Sequence, residues 1–433
     1  MLKIFDSILW AIATVFIVYS GIYYTYKLRF VQFRFKDMFK NILKKSNSKE
    51  TITPFESLMM VLGGRIGVGS IAGIALSIYL GGVGSIFWMW IIGFLSAPSA
   101  FAETVLGVKY QKNDKETYGG PSYYLEKGLN CKLLSKVYSF LIIFSYIGGF
   151  LSIQANTITT SITDYFEIKP IVIGVLLGLI SFIIIIGGVK KISLVSRYLV
   201  PIMTLIYVGT SFYIIIKNIS FLPTVFYKII ASAFSFKALG FGVLGSMVVG
   251  IQRGIFSNEA GLGTGAIAAS VVKTNYPAEC GFVQMIGIYI TTFLICTSTA
   301  IVILTSNVND VSIINGIELT QQAFIYHLGG FGNFVVILSI ILFAFSTVLS
   351  GYFDGEASLK SLFPKISNFS LFVLKLVTFL IIIVGSLTKA TLLWNIVNIL
   401  TALLAIINIY AILKLKKDVI FELVRYDKCD KMK

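Results

Sequence analysis

Apolar residues in this chain come in long unbroken runs, not in the stripes of a soluble amphipathic helix or the alternation of a half-buried strand. Runs of about 20 residues fit a helix that crosses a bilayer. Eleven such spans are predicted, at roughly 8–26, 55–82, 84–108, 137–164, 170–188, 193–216, 238–270, 280–305, 330–353, 369–388 and 391–413. Two of them are interrupted. Four glycines and an arginine fall within seven residues in GGRIGVGS (Gly63 to Ser70), and GIQRGIFSNEAGLGTGA (Gly250 to Ala266) has the same character about half a chain later. A helix can unwind at such a glycine cluster and free its N–H and C=O groups. Inside a bilayer that opening survives only where protein buries it or where it lines a cavity.

Without the first span, ten remain, and they divide evenly. The expected organisation is an extra N-terminal helix over 1–26, a basic loop over 27–54, a first five-helix repeat over 55–216, a second over 238–413 and a basic tail over 414–433. Five is odd, so the second repeat runs inverted relative to the first, and each opens with its broken segment. Paired interruptions of this kind mark a transporter's substrate site near the bilayer midplane.

Charge orients the chain. With the N-terminus outside, the inner loops and the tail hold 27 of the 36 lysines and arginines. That asymmetry predicts N-terminus out and C-terminus in, placing Cys131 and Cys429 on the cytoplasmic side.

The hydrophobic fraction of 56% exceeds the ~45–50% of soluble domains, so the chain is read as an all-α integral membrane protein. The net charge of +16 lies in short loops and tails beside apolar spans. It therefore reads as topology signal and anionic-lipid contact, not as a nucleic-acid surface. Four dispersed cysteines and the single His327 offer neither a disulfide framework nor a thiolate or imidazole metal site. No cleavable signal stands out, and Ile8 to Tyr24 reads as a retained span. Without a paired-carboxylate, His or Cys cluster the chain is not read as an enzyme and needs no cofactor. A nucleotide loop would need a strand before GGRIGVGS, where a membrane span stands instead. Nothing specifies an oligomeric state.

Several segments together resemble one family. They are RIGVGSIAGIALSIYLGGVGSIFWMW (Arg65 to Trp90), Ala102-Glu103, GGPSYYLEKGL (Gly119 to Leu129), QAN (Gln154 to Asn156), FSNEAGLG (Phe256 to Gly263), QMIGIYITTFLICTSTA (Gln284 to Ala300) and FAFSTV (Phe343 to Val348). The chain is similar over nearly its whole length to the alanine or glycine:cation symporter family. The resemblance implies a leucine-transporter-type 5+5 inverted repeat with one extra N-terminal span, and uptake of small amino acids coupled to sodium. Three positions depart from the family pattern: Ser70 stands where asparagine is usual, Val83 where proline is, and Thr291 where aspartate is.

A zwitterionic amino acid needs donors for its carboxylate and acceptors for its ammonium. Gly67, Gly69 and Ser70 can present N–H groups at the start of the following half-helix, where the dipole favours an anion. Opened carbonyls around Gly254 to Ser257 can face the ammonium, with Phe256 walling the pocket and Phe150 as a further wall. Gln154 either reaches the substrate or makes an interhelical hydrogen bond, and Trp394 either lines the cavity or belongs to the interfacial aromatic belt. Ser346 and Thr347 sit in an apolar span, where such hydroxyls ordinarily bond their own backbone. With the resemblance, they join carbonyls near Ile66, Gly69 and Phe343 as a sodium site. Arg65, Arg253 and Glu259 are the ionisable groups nearest the breaks, and an ion pair involving Glu259 is expected, either as a gate or as a proton path. Glu56, Glu103, Asp354 and Glu356 fall near cytoplasmic ends and read as solvated. A proton-coupled or other-substrate relative, or a membrane sensor, is the alternative.

Overall fold

A computed structural model describes residues 2–44, 52–113, 117–234, 242–306 and 316–431. The basic positions Lys45, Lys49, Lys115, Lys237 and Lys433 lie outside them, as does the assigned start of the second repeat at 238–241.

The helices, in chain order, are α1 (Leu2–Lys27), α2 (Phe35–Ile42), α3 (Pro54–Arg65), α4 (Ala72–Gly81), α5 (Ser85–Lys109), α6 (Pro121–Lys127), α7 (Lys132–Ile142), α8 (Leu151–Phe166), α9 (Pro170–Ile185), α10 (Gly188–Lys217), α11 (Leu222–Ala233), α12 (Gly242–Asn258), α13 (Thr264–Ala269), α14 (Pro277–Tyr289), α15 (Thr297–Thr305), α16 (Gly316–Leu328), α17 (Gly330–Leu362), α18 (Asn368–Leu387), α19 (Ala390–Lys414) and α20 (Lys416–Lys431). Wider π-helical turns, Ile143–Phe150 and Ile290–Cys296, join α7 to α8 and α14 to α15. Lys112–Asn113 pairs antiparallel with Thr117–Tyr118.

Local chemistry sets the boundaries. Thr53 and Glu56 form a reciprocal capping box at the start of α3, satisfying two of its free N–H groups, and Pro54 occupies the first turn. Pro170 and Pro277 open α9 and α14 in the same way. Among the described residues, eight helices are long and apolar enough to cross a membrane. The two broken segments and the shorter α9 bring the spans to the eleven read from hydropathy.

α12 packs along α4 and α5, α17 along α3 and α8, and α1 lies against α5 and α19. α1 is bonded to α19: Trp10 Nε1 donates to the Asn398 carbonyl (3.2 Å) and Tyr24 to the Ile412 carbonyl (2.5 Å). α9, α10 and α18 turn Ile183, Leu205 and Leu380 outward. Apolar exposure on that scale fits helices long and apolar enough to cross a membrane.

Three acidic residues differ from expectation. Glu103, Asp354 and Glu356 are buried, at 0%, 2% and 7% exposure, because α5 and α17 run deeper into the bundle than their ends suggest. Glu56, only partly exposed, pairs with Arg197.

Candidate functional site at the two helix breaks

The first interruption is where the sequence puts it. α3 ends at Arg65, and the chain passes through Ile66, an extended Gly67 and a short turn at Val68–Ser70 before α4 begins. The two glycines after Arg65 are required by contact. A Cβ on Gly67 would lie 2.6 Å from Thr347 Oγ1, and one on Gly69 would lie 2.9 Å from the Phe256 ring. The freed Val68 N–H donates to Gln154 Oε1 (3.1 Å). Gln154 is buried, and its amide nitrogen also faces Gly67, so the side chain spans the open backbone. Ser70 Oγ lies 2.9 Å from Ser257 Oγ and 3.3 Å from the Arg65 carbonyl, tying the break to α12 and to its own upstream helix. Thr299 Oγ1 donates to the Ser70 carbonyl (3.0 Å).

The second interruption lies one turn later than read. α12 is regular through Asn258, so the Gly254 carbonyl stays within helix, and a Cβ on Gly254 would meet Ile92 and Met89 of α5. Gly254 is thus a helix-packing position, and the expected opening around Gly254 to Ser257 is corrected to Glu259–Gly263. There Glu259, Gly261 and Gly263 take left-handed backbone, with φ of 52°, 83° and 92°. From α12, the Phe256 ring packs on Gly69 and the Ser257 hydroxyl meets Ser70.

Aromatic rings form one wall. Phe150 stacks on Tyr146 (centroids 4.5 Å apart) and on Phe256 (5.0 Å), and Trp394 packs on the other side of Phe256 (5.0 Å). Trp394 is partly buried and also lines a cavity with Asp6 and Arg253. Arg253 lies over the Trp394 ring at 5.0 Å.

Behind the break, Ser346 Oγ is 3.0 Å from the Gly63 carbonyl and 2.8 Å from that of Phe343. Thr347 Oγ1 is 3.0 Å from the Gly63 carbonyl, 3.3 Å from Gly64 and 3.0 Å from Phe343. Gly63 and Gly64 stand in the last turn of α3, where the helix leaves carbonyls without partners. Ile66 and Gly69 carbonyls make no hydrogen bond to either hydroxyl among the described residues; those of Gly63 and Gly64 meet them instead. Five oxygens therefore converge with two hydroxyl protons between them. An arrangement so rich in lone pairs suits a hard cation.

The expected ion pair of Glu259 does not form among the described residues. Its carboxylate accepts from Tyr146 (3.0 Å) and Thr264 (2.7 Å), hydroxyls that satisfy it without a cation. Arg65 is buried and donates through Nη1 to the Gln284 carbonyl (3.1 Å), within the fields of Glu103, Glu259 and Asp354. Arg65 and Glu259 lie on the two sides of the breaks without touching.

Sequence reasoning missed the clamp on the second break. Glu103 Oε2 accepts from Gly263 N–H (3.1 Å) and from Asn408 Nδ2 (2.7 Å). Asn408 also donates to the Gly261 carbonyl (2.9 Å), and Tyr138 to the Leu262 carbonyl. A signal was present: Glu103 and Asn408 are polar residues inside apolar runs, which in a membrane points to function.

On the face where α1, α4, α8 and α19 meet, a cavity of about 640 Å³ opens, lined among others by Asp6, Ala72, Asn156, Arg253, Trp394 and Asn395. Two interrupted helices meeting inside a bundle of membrane-length helices define a fold of the leucine-transporter type. Solved structures agree. MhsT in complex with L-phenylalanine superposes with TM-score 0.54 at 14% identity, covering 87% of this chain and 99% of that one. A manganese transporter from Eremococcus coleocola gives 0.56 at 13%, covering 84% and 79%. More particularly, the family model "Sodium:alanine symporter family" matches residues 1–433, and the chain belongs to that family. Relatives include "Probable sodium/glutamine symporter GlnT" of Bacillus subtilis, 35% identical over 427 residues, 97% of this chain and 89% of that protein. The "Sodium/alanine symporter AgcS" of Methanococcus maripaludis is 33% identical over 420 residues, 93% and 91%. These are transporters and not enzymes, and so is this multi-pass membrane protein.

Proposed function

We propose that the protein imports small neutral amino acids of the alanine and glycine class by symport with sodium. The observation that carries the reading is the convergence of the Ser346 and Thr347 hydroxyls with the Gly63, Gly64 and Phe343 carbonyls behind the first break. Sodium there ties α3 to α17 and fixes the broken helix in one position. The amino acid lies on the other side of the same backbone. Gly67 and Gly69 offer their N–H groups to its carboxylate, the Ser70 N–H being taken by the Gly67 carbonyl (3.1 Å); the Ser70 hydroxyl, Gln154 and Ser257 add polar contacts, and Phe150, Phe256 and Trp394 close round a small side chain. Coupling follows because both ligands share one flexible stretch, so each pre-orders the site for the other.

Orientation rests on the lysine and arginine asymmetry, with the N-terminus outside. Cys131 and Cys429, both partly exposed, are then cytoplasmic, and an impermeant maleimide added to intact cells should label neither. Labelling of either from outside reverses the topology.

The test of function is uptake into proteoliposomes of labelled glycine, L-alanine, L-serine, L-glutamine and L-phenylalanine, with an inward sodium gradient, a proton gradient or neither. Glutamine is included because a 35% identical relative is named for it. Accumulation of alanine or glycine under sodium is expected, with larger residues weaker. Accumulation driven by protons alone would exchange sodium for a proton, and no uptake of any amino acid under either gradient would sink the proposal.

A further inference from the structure

The short helix after the first span keeps one face uncovered. α2 turns Met38 and Asn41 inward, whereas Phe35, Phe39 and Leu43 stand out at 48%, 60% and 80% exposure, the last just past the helix end. Residues four apart share a helix face, so these three form one apolar stripe. Lys36 and Lys40, both exposed, run along its edge. The turn leading in from α1 repeats the composition, with Phe30 and Phe33 outward beside an exposed Arg29. α1 is itself long and apolar enough to cross a membrane, so the stripe continues from a membrane-length helix. Phe33 also packs on Phe94 of α5, another such helix (5.2 Å).

Apolar rings bordered by cations are the pattern of a helix bound to a leaflet, with rings among the acyl chains and charges at the head groups. The acids around α2 and α20 turn to protein partners. Asp37 meets Arg34 (2.7 Å) and accepts from Tyr426 (3.1 Å), Asp427 meets Arg34 (2.8 Å), and Asp418 meets Lys109 (2.8 Å). The outward surface is therefore positive, and a net-negative head group complements it.

The inner side of α2 leads to the site. Lys44 pairs with Glu279 at the start of α14, Phe35 packs on Tyr289 (5.9 Å), and the Tyr289 hydroxyl donates to the Gln32 carbonyl (2.7 Å). α14 in turn supplies the Gln284 carbonyl that Arg65 binds at the end of α3.

We propose that α2 and the turn before it dock on anionic phospholipid of the cytoplasmic leaflet, Phe35, Phe39 and Leu43 entering the acyl layer while Arg29 and Lys36 hold net-negative head groups. Through α14 the docked helix steadies the first break, so uptake depends on lipid charge. The choice of leaflet rests on the N-terminus-out orientation, and the effect on uptake rests on the transport reading.

Native mass spectrometry of full-length protein, released from bilayers of equal phosphatidylglycerol and phosphatidylcholine, reads which lipid stays bound. Wild type should retain phosphatidylglycerol in preference. Arg29→Gln/Lys36→Gln should lower that preference roughly twentyfold, about fivefold for each cation lost. Lys190→Gln/Lys191→Gln, which removes two exposed charges from another inner loop, should keep it. In parallel, sodium-driven alanine uptake is measured in proteoliposomes with and without phosphatidylglycerol. Wild type should be roughly fivefold faster with it, a coupling of ordinary size, and Arg29→Gln/Lys36→Gln should be equally slow in both. Equal retention of the two lipids by wild type would overturn the docking surface whatever the variants do. An undiminished preference in Arg29→Gln/Lys36→Gln, or an equal loss in Lys190→Gln/Lys191→Gln, would also overturn it. A lost preference with uptake still accelerated by phosphatidylglycerol would overturn the link through α14. Retention as expected with no uptake in either bilayer would overturn the transport reading and leave the docking surface standing.

Discussion

The two helix breaks look alike in sequence and differ in how their freed backbone is satisfied. At Glu259–Gly263 protein side chains take up the open groups: Glu103 takes the Gly263 N–H, Asn408 the Gly261 carbonyl and Tyr138 the Leu262 carbonyl. At Ile66–Ile71 side chains also reach the backbone, Gln154 at the Val68 N–H, Thr299 at the Ser70 carbonyl and Thr320 at the Ile71 carbonyl, but around Gly63 and Gly64 carbonyls and hydroxyls outnumber the protons they share. A clamped break resists change, whereas one with spare lone pairs recruits a ligand. This difference supports the proposal that the second interruption is the rigid one and the first the binding one.

The largest effect should come from breaking the clamp. Glu103→Ala strips a buried carboxylate from Gly263 and Asn408, leaving both donors unmet at a cost of about 3 kcal/mol. A large fall in Tm of the purified protein is expected, whereas Gln154→Ala at the first break should lower Tm much less and uptake more. Equal Tm losses in the two variants would erase the distinction.

Next is a steric test of the binding break. Gly67→Ala puts a methyl 2.6 Å from Thr347 Oγ1 and should cut uptake more than about tenfold, the scale of a misplaced binding group. Gly73→Ala on the adjoining half-helix meets no atom within 4 Å and should leave uptake near wild type. Similar uptake in both variants would show that the geometry at Gly67 is not critical.

The smallest effect concerns α16, which packs over α4 beside the first break. His327 sits against Asn218, Thr305 and the Val302 carbonyl, and its burial lowers its pKa below the ordinary histidine value. Folding therefore favours the neutral ring. Its contribution is complete above pH ~6.5, the unfolded pKa, and is lost as the pH falls below that toward the folded pKa. Melting curves from pH 8 to pH 5 should show a fall in Tm at the acid end that His327→Gln reduces. A fall of the same size in the variant would assign the acid sensitivity to other groups.

Much of this was legible in the sequence because a bilayer enforces length and backbone satisfaction so strictly. Eleven apolar runs and two glycine clusters suffice to read the spans, and Ser346 and Thr347 stand out in FAFSTV. What escaped depended on three dimensions. α11 and α16 are too short to read as crossings. The opening after Gly250 was placed a turn early because glycines that permit unwinding and glycines that permit packing, such as Gly254 against Ile92, look the same in one dimension. Glu103 read as solvated because its nearness to a span end says nothing of Asn408, more than three hundred residues away.

Sodium recruitment at the first break through the adjacent hydroxyls is read from the sodium dependence of uptake in the Ser346→Ala/Thr347→Ala double variant. Both side chains are buried, so their loss removes two hard oxygen ligands without exposing new surface. The sodium concentration for half-maximal uptake should rise at least about tenfold, each contact to a charged ligand being worth ~1.5–3 kcal/mol. Half-saturation at the wild-type sodium concentration would contradict the account and leave the two hydroxyls as helix-packing groups.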